Sequence, residues 1–248
     1  MREQVYGSLG HSTDLSLSPE NLQRLRSMIT DQWRSHIQTV APECAHHFEG
    51  IEMDRYHEKS NLLDHNVIWQ KEARILPWEN VQEIRKMTFF ERLESEFGTF
   101  EISDENDVGR EEIYWRIVRP HENQDMGPLH ADAWFWELGH GYTPPNVDRV
   151  KIWIGIFVEP GSSGFRFCPG SQLKEWPYHG IRKDGIMKPV IEVPEEDLSP
   201  VVFAGKSGDA ILFHDRLIHG GQSSGVGKKT RISLEFTMFV KPIEGEVK

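Results

Sequence analysis

Two polar residues, His130 and Asp132, stand directly before an aromatic run that ends at Trp136. If this segment is an extended strand, both side chains point to the same face, so an imidazole and a carboxylate can hold one ion while Ala131 points away. By itself the pair is weak evidence, because a histidine beside an aspartate is more often an ordinary hydrogen-bonded couple. A metal site is therefore predicted only if further ligands occur elsewhere in the chain.

Further candidate ligands lie downstream. His219 follows an apolar stretch and precedes Gly220 and Gly221, which allow backbone or ligand to come close. Arg231 lies far enough beyond His219 for a hairpin to fold back beside it. Arg231 and Ser233 would share one face of a strand, where a guanidinium and a hydroxyl together suit a carboxylate.

Two histidines and one carboxylate on one side of an ion leave three coordination positions open, as in the facial triad of non-haem Fe(II) oxygenases. The 2-oxo acid end of 2-oxoglutarate would fill two of them, with its far carboxylate on Arg231, and O₂ would take the third. The set of His130, Asp132, His219 and Arg231 is far more specific than any one member. We therefore expect Fe(II), 2-oxoglutarate and O₂.

Other histidines compete for the metal role. His214 lies inside the apolar stretch before His219, so we expect a core or supporting histidine there, and we expect His140 in a loop at the mouth of the site. Residues 44–66 are rich in histidine but show no recurring ligand spacing, so these side chains are expected in solvated loops and at helix edges.

The first part of the chain has helical periodicity, and the rest has strand periodicity. Ser18 and Pro19 predict a helix start, and apolar residues recur at helical spacing until Pro42. A second helical region is predicted at 77–97. Strands are predicted where β-branched and aromatic residues dominate, at 112–120, 150–159, 165–167, 210–214 and 230–240.

This order of elements predicts a mainly β fold, an antiparallel sandwich or jelly roll with N-terminal helices packed against one sheet. We expect one domain over residues 1–248. Within it, residues 1–97 form a mostly helical brace, residues 98–242 form the core, and residues 173–200 form an excursion with short strands on the rim.

Composition excludes several classes of partner. The net charge of −11 argues against nucleic acid or an anionic membrane as partner, because both need a dense Lys/Arg surface. Cys44 and Cys168 are the only cysteines, which does not support a disulfide framework. Without a leader-like or membrane-spanning apolar segment, we expect a cytoplasmic protein that acts on a small molecule.

The motifs resemble the phytanoyl-CoA dioxygenase (PhyH) family of Fe(II)/2-oxoglutarate oxygenases. The resemblance is carried by the His130 and Asp132 pair, the strand from Trp153, the Pro-Gly-Ser that ends at Ser171, the His219-Gly-Gly stretch and the Arg231-Ile-Ser stretch. It departs from the family at Gln172, where a histidine is usual.

The resemblance implies a double-stranded β-helix with His130, Asp132 and His219 as iron ligands and Arg231 as the anchor of 2-oxoglutarate. It also implies that Ser233 makes a second contact to that carboxylate and that Trp153 flanks the cosubstrate.

The family reaction hydroxylates an unactivated C–H bond while 2-oxoglutarate is converted to succinate and CO₂. Asp132 stands where halogenating relatives have a small residue, which favours hydroxylation.

If the chain stays extended after His130, the mouth of the site is lined by side chains of that strand and its neighbour. The substrate contacts predicted in this way are Trp115, Arg116, Trp134 and Trp136, with Arg119 and Lys151 as further candidates. We expect a small polar metabolite, because CoA phosphates need several basic residues.

Two alternatives remain open from the residues alone. One is a cupin-like metal enzyme that uses the same ligands without 2-oxoglutarate and Arg231. The other is a non-catalytic jelly roll that binds a small molecule.

Overall fold

The computed structural model of the protein describes residues 1–161, 163–183, 185–222 and 228–242. Part of the predicted turn at Ser162, part of the glycine-rich stretch after Gly221 and the last residues of the chain lie outside the described residues. That residues 1–248 form one domain stays a prediction.

Seven α-helices occur in the described part of the chain: α1 Arg2–Tyr6, α2 Pro19–Val40, α3 Pro42–Ala45, α4 His65–Ile68, α5 Trp78–Ile84, α6 Thr88–Phe97 and α7 Asp132–Glu137. Short 3₁₀ helices lie at His46–Phe48, Met53–Glu58, Ser60–Leu62, Glu72–Arg74, Asn123–Asp125, Ser171–Leu173 and Glu195–Asp197. As predicted, the Ser18 side chain caps α2 by accepting from the Asn21 amide. No helix among the described residues is long and apolar enough to cross a membrane.

The described strands are β1 His11–Ser12, β2 Glu101–Ile102, β3 Tyr114–Val118, β4 Asp148–Phe157, β5 Phe165–Phe167, β6 Tyr178–Lys183, β7 Ile186–Ile191, β8 Val201–Val202, β9 Ala210–His214, β10 His219–Gly221 and β11 Arg231–Val240. Among the described residues, the larger sheet has six strands in the order β1-β9-β4-β11-β2, and β3 also pairs with β11. The smaller sheet has the order β10-β5-β8, and β6 and β7 form a separate hairpin. The pairings are antiparallel.

The two sheets pack face to face through aromatic side chains. Trp153 and Phe213 of the larger sheet share a buried cluster with Phe165 and Phe167 of the smaller one. This arrangement confirms the predicted antiparallel β core, a double-stranded β-helix.

Strand β11 shows why the helices cover only one face of the larger sheet. Its residues Ile232, Leu234 and Phe236 belong to a large apolar cluster that also contains side chains of α2 and α6. Alternate residues such as Ser233 and Glu235 point to the other face, because successive side chains of a strand point in opposite directions. The sheet therefore has one apolar face under the helices and one face inside the barrel that carries both polar and aromatic side chains.

Segment 173–200 contains short strands, as predicted, and they pair with each other as the β6–β7 hairpin. One segment differs from the expected secondary structure. The segment after His130 does not stay extended, because the chain turns into α7 at Asp132. The Ala133 amide donates to the Asp215 carbonyl (2.9 Å), and Trp134 stacks on Tyr178 of the hairpin. These contacts with distant segments stabilise a helix where the local pattern also suited a strand.

We predict that Phe236→Ala lowers the free energy of unfolding by about 3–5 kcal/mol, because it leaves a cavity between β11 and the helices. The Phe236 ring is fully buried and stacks on Phe90, with centroids 5.5 Å apart. Urea unfolding followed by circular dichroism measures the change. Leu173→Ala is the control, because Leu173 is 67% exposed and its loss should cost less than about 0.5 kcal/mol. Equal losses in both variants would contradict the described core.

Candidate metal centre

His130 and His219 are held side by side by their backbones. The His130 amide donates to the His219 carbonyl (2.9 Å), and the His219 amide donates to the His130 carbonyl (2.8 Å). Their ring centroids are 4.5 Å apart. Asp132 Oδ1 lies 3.5 Å from His130 Nε2 and 3.6 Å from His219 Nε2. Among the described residues, these three form the one group of His, Cys, Asp or Glu side chains whose donor atoms gather as a metal ion requires.

The second nitrogen of each imidazole fixes its orientation. His130 Nδ1 lies 2.8 Å from the Pro128 carbonyl, and His219 Nδ1 lies 3.0 Å from the Leu217 carbonyl. Because a carbonyl oxygen only accepts, each Nδ1 carries the proton and donates it. Each Nε2 therefore presents a lone pair toward Asp132, as in metal sites where a backbone carbonyl orients the ligand histidine.

The surroundings keep these ligands in the protonation states that bind metal. Burial lowers the pKa of His219 to about 4, against the opposing effect of Asp132, so the imidazole is neutral at pH 7. Burial alone would raise the pKa of Asp132, but the buried Lys151 ammonium and the His219 imidazole hold that pKa well below its usual range. Asp132 is therefore an anion at neutral pH.

The donor set fits a divalent transition metal. Asp132 Oδ2 is buried and has no hydrogen-bond partner in the described part of the chain. A buried carboxylate oxygen without a partner is costly, and a bound cation would remove that cost. Two imidazole nitrogens and one carboxylate form the facial donor set that non-haem iron enzymes use, so this is a candidate iron site.

The local geometry of the His130 and Asp132 pair differs from the predicted one. His130 is extended and bridges to β10, whereas Asp132 is the first residue of α7. The start of α7 is held by the Asp215 carbonyl, and the Asp215 carboxylate pairs with Arg149 (2.6 Å). The two ligands therefore converge from a strand end and a helix start.

A narrow cavity beside the ligands also contains the predicted cosubstrate residues. It is lined by His130, His219, Arg116, Trp153, Arg231, Glu235, Gly127, Phe165, Phe213, Gly220 and Gly221. Arg231 Nη1 donates to the Gly164 carbonyl (2.9 Å), and its guanidinium carbon lies 5.9 Å from the centre of the Trp153 ring. Burial, then the neighbouring Arg116, lowers the pKa of Arg231 to about 10, so it remains a cation at pH 7.

Two small residues surround Arg231. Gly164 has φ +73°, and a Cβ there would lie 2.9 Å from Arg231 Cδ, so glycine gives the arginine its space. Ser233 is buried, and its hydroxyl donates to Glu235 Oε1 (3.0 Å). The structure thus directs Ser233 to Glu235, whereas the sequence predicts a contact between Ser233 and a cosubstrate carboxylate.

The predicted position of Trp115 at the mouth is wrong. Trp115 is fully buried on the helix side of the larger sheet, where its indole N–H donates to Gln32 Oε1 (2.9 Å) and its ring packs on Trp69. In contrast, Arg116 points into the cavity, with Nη1 3.8 Å from Glu235 Oε2.

Trp134 and Trp136 also do not line this cavity, because α7 turns them away from it. Trp134 stacks on Tyr178 (4.7 Å between centroids), and Trp136 packs on Phe239 and under the Arg149 guanidinium. Within α7, the aromatic residue that packs against a metal ligand is Phe135, whose ring lies 5.2 Å from that of His130. Helical spacing from Asp132 would have identified Phe135.

The remaining polar residues that the sequence predicts near the site make hydrogen bonds or ion pairs with other protein groups. The Lys151 ammonium lies 3.1 Å from Glu105 Oε1 and 3.1 Å from Tyr114 Oη inside the barrel. Arg119 pairs with Asp125, and His140 Nε2 contacts the Met187 carbonyl. His214 Nδ1 accepts from the Arg216 amide (3.1 Å).

Comparison with known proteins places the chain in a family. The sequence pattern of the phytanoyl-CoA dioxygenase (PhyH) family matches residues 28–229. The chain belongs to this family. As a PhyH member, the protein is an enzyme of the non-haem iron and 2-oxoglutarate oxygenase superfamily. Among curated protein sequences, none matches the chain.

Two solved structures with TM-scores above 0.5 share the fold at low sequence identity. The apo form of the non-heme monooxygenase ThoJ is 13% identical, with a TM-score of 0.58 over 94% of this chain and 75% of that chain. EvdMO1 is also 13% identical, with a TM-score of 0.54 over 95% of this chain and 48% of its own. EvdO2 from Micromonospora carbonacea var. aurantiaca, complexed with 2-oxoglutarate, is 18% identical, with a TM-score of 0.49 over 70% and 69% of the two chains.

We predict that the metal-free protein loses stability as pH falls from 6.5 to 4, and that His219 causes part of this loss. The imidazole takes up a proton near pH 6.5 when unfolded but only near pH 4 when folded, so acid in this window favours the unfolded state by about 3 kcal/mol. Urea unfolding of chelator-treated protein at several pH values measures the slope. His219→Gln should flatten this slope, and an unchanged slope would contradict the buried neutral imidazole.

Proposed function

We propose that this PhyH protein is an Fe(II)- and 2-oxoglutarate-dependent dioxygenase that hydroxylates an unactivated C–H bond of a small metabolite. The cosubstrate is converted to succinate and CO₂. One observation carries the proposal: the ligand histidines His130 and His219 line the same cavity as the partly buried cation of Arg231. One cosubstrate molecule can therefore bind the metal ion with one end and place an anionic group on Arg231 with the other.

The residues around the metal have separable tasks. His130, Asp132 and His219 would hold the ion from one side and leave the other side for exchangeable ligands. Bound iron with a 2-oxo acid supplies the oxidising chemistry. The protein supplies the orientation of these ligands and a buried, largely apolar wall at Phe165 and Phe213 that limits water.

Arg231 suits the far carboxylate of the cosubstrate. Its link to the Gly164 carbonyl orients the guanidinium fork, and burial strengthens its attraction for an anion. Arg116 also lines this cavity, but the neighbouring Glu235 carboxylate offsets its charge, so Arg231 is the cation offered to the cosubstrate. A cupin-like metal enzyme that does not use 2-oxoglutarate has no need of such a cation there.

The residues nearest the metal site support the proposed reaction and the proposed class of substrate. Asp132 occupies the carboxylate position, which favours hydroxylation over halogenation. Phe135 packs on the ring of the ligand His130, and Arg116 lines the cavity beside it; one side chain is apolar and the other charged, which suits a small molecule with both kinds of surface. Because Cys44 and Cys168 are free thiols, we propose that the enzyme acts in a reducing compartment such as the cytoplasm.

We predict that Arg231→Met weakens 2-oxoglutarate binding by about ten- to a hundredfold, as expected for the loss of a charge-assisted contact. Affinity for the metal should change little. Anaerobic titration of the Fe(II)-loaded protein with 2-oxoglutarate measures this, because a chelating 2-oxo acid gives a visible charge-transfer band. Arg24→Met is a matched control, since Arg24 pairs with Glu83 on the exposed surface of α2, away from the cavity.

Two results of this titration would contradict the proposal. If Arg231→Met weakened the affinity for the metal as strongly as the affinity for 2-oxoglutarate, Arg231 would be a structural residue. Absence of the charge-transfer band in the wild-type protein would favour a metal enzyme or binding protein that does not use 2-oxoglutarate.

We predict that Asp132→Ala abolishes formation of succinate from 2-oxoglutarate under air, because it removes the anionic ligand. The assay supplies Fe(II) and pools of small metabolites, and mass spectrometry searches for products that gain one oxygen atom. Wild-type turnover without any oxygenated product would contradict hydroxylation, and equal turnover in Asp132→Ala would contradict the assigned ligand.

A further inference from the structure

The loop of residues 119–129 leads from β3 to His130 and determines how that ligand is oriented. Its Pro128 carbonyl accepts from His130 Nδ1 (2.8 Å), and its Gly127 carbonyl accepts from the Gly221 amide (3.0 Å). A Cβ at Gly127 would lie 3.8 Å from His130 Cε1, so the loop backbone passes close to the ring. A shift of this loop therefore changes the direction of the His130 lone pair.

The loop is closed on itself by one buried ion pair. Asp125 Oδ2 accepts from the backbone amide and from Nε of Arg119, both at 2.9 Å, and Asp125 Oδ1 accepts from Arg119 Nη2 at 2.9 Å. The Asp125 side chain is 1% exposed and that of Arg119 is 11% exposed. Paired and buried groups of this kind have one favoured geometry, so Asp125 sets the path of the loop.

His65 connects this ion pair to the N-terminal helices. The sequence predicts a solvated histidine here, but His65 is 8% exposed and its Nε2 lies 3.6 Å from Asp125 Oδ1. On its other side, Nδ1 lies 3.1 Å from the Tyr56 hydroxyl, which accepts from the Trp69 indole N–H (3.1 Å). Because the indole only donates, the Tyr56 proton is available for Nδ1 and the His65 proton then faces Asp125.

We propose that His65 is a positioning residue for the metal site, acting through Asp125 and the 119–129 loop on the orientation of His130. The helical segment then sets the geometry of the centre as well as covering the sheet. This inference rests on the metal site of the proposed function and not on the substrate or the reaction outcome.

The test compares metal affinity with stability in matched variants. Co(II), whose visible absorption reports the ligand geometry, is titrated into metal-free protein. His65→Phe should weaken Co(II) binding by about tenfold, the lower end of the loss expected when a group supporting a ligand is removed. His36→Phe is the control, because His36 lies 3.0 Å from the Ile68 carbonyl and packs on Trp69, so its described contacts stay within the helical segment.

Two further measurements separate positioning from general stability. His65→Gln keeps an N–H group near the position of Nε2 and should restore most of the Co(II) affinity. Hydrogen exchange of the amides of residues 119–129 in metal-free protein should be faster in His65→Phe and unchanged in His36→Phe.

An unchanged Co(II) affinity in His65→Phe would overturn the inference, and a melting temperature lowered in both histidine variants would then assign His65 a role in stability alone. If His65→Phe does not fold, Tyr56→Phe decides, because it frees the imidazole but keeps the buried ring. Tyr56→Phe should weaken Co(II) binding measurably, by less than about tenfold, and an unchanged affinity would overturn the inference. Failure of the wild-type protein to bind Co(II) would instead refute the metal site and the proposed function.

Discussion

The antiparallel backbone bridge between His130 and His219 is the constraint on which the centre depends. Its two hydrogen bonds bring together side chains that are far apart in the chain, and directly opposed residues of such a pair lie side by side. The next strand holds the bridge in place, because His219 also pairs with Phe167. Asp132 then has only to approach from the start of α7. Strand pairing thus forms the centre, and the distance between the two histidines depends on the smaller sheet staying paired.

The larger sheet supports this centre because its faces have opposite character. On one face, residues such as Ile232 and Phe236 are packed under the helices, which supplies apolar burial. On the other face lie the buried Glu235 carboxylate, near Arg116, and the partly buried Arg231 guanidinium, which donates to the Gly164 carbonyl. Buried charges are tolerated when they are paired, which is why the inner face can carry them. The face under the helices thus stabilises the fold, and the inner face carries the groups that would bind the cosubstrate. The same strand serves both needs through simple alternation.

Much of this arrangement can be predicted from the sequence. Periodicity indicated the helices and the main strands, and residue types with their spacing indicated the ligand set and Arg231. The errors arose where two patterns fit the same residues. The run after Asp132 suits both strand and helix, and contacts with Asp215 and the hairpin decide for the helix. Trp115 lies in a strand buried on both faces, where alternation does not tell inside from outside. His65 lies beside Asp125, which is distant in sequence, and no local pattern reveals that contact.

The central claim is that one cavity holds a metal ion at the three ligands and an anion at Arg231. Its most direct test is a crystal structure of the protein loaded anaerobically with Fe(II) and 2-oxoglutarate, with anomalous data at the iron edge. We expect one iron peak bounded by His130, Asp132 and His219, with the far carboxylate of 2-oxoglutarate on the Arg231 guanidinium. An iron peak elsewhere, or 2-oxoglutarate bound away from Arg231, would contradict the claim.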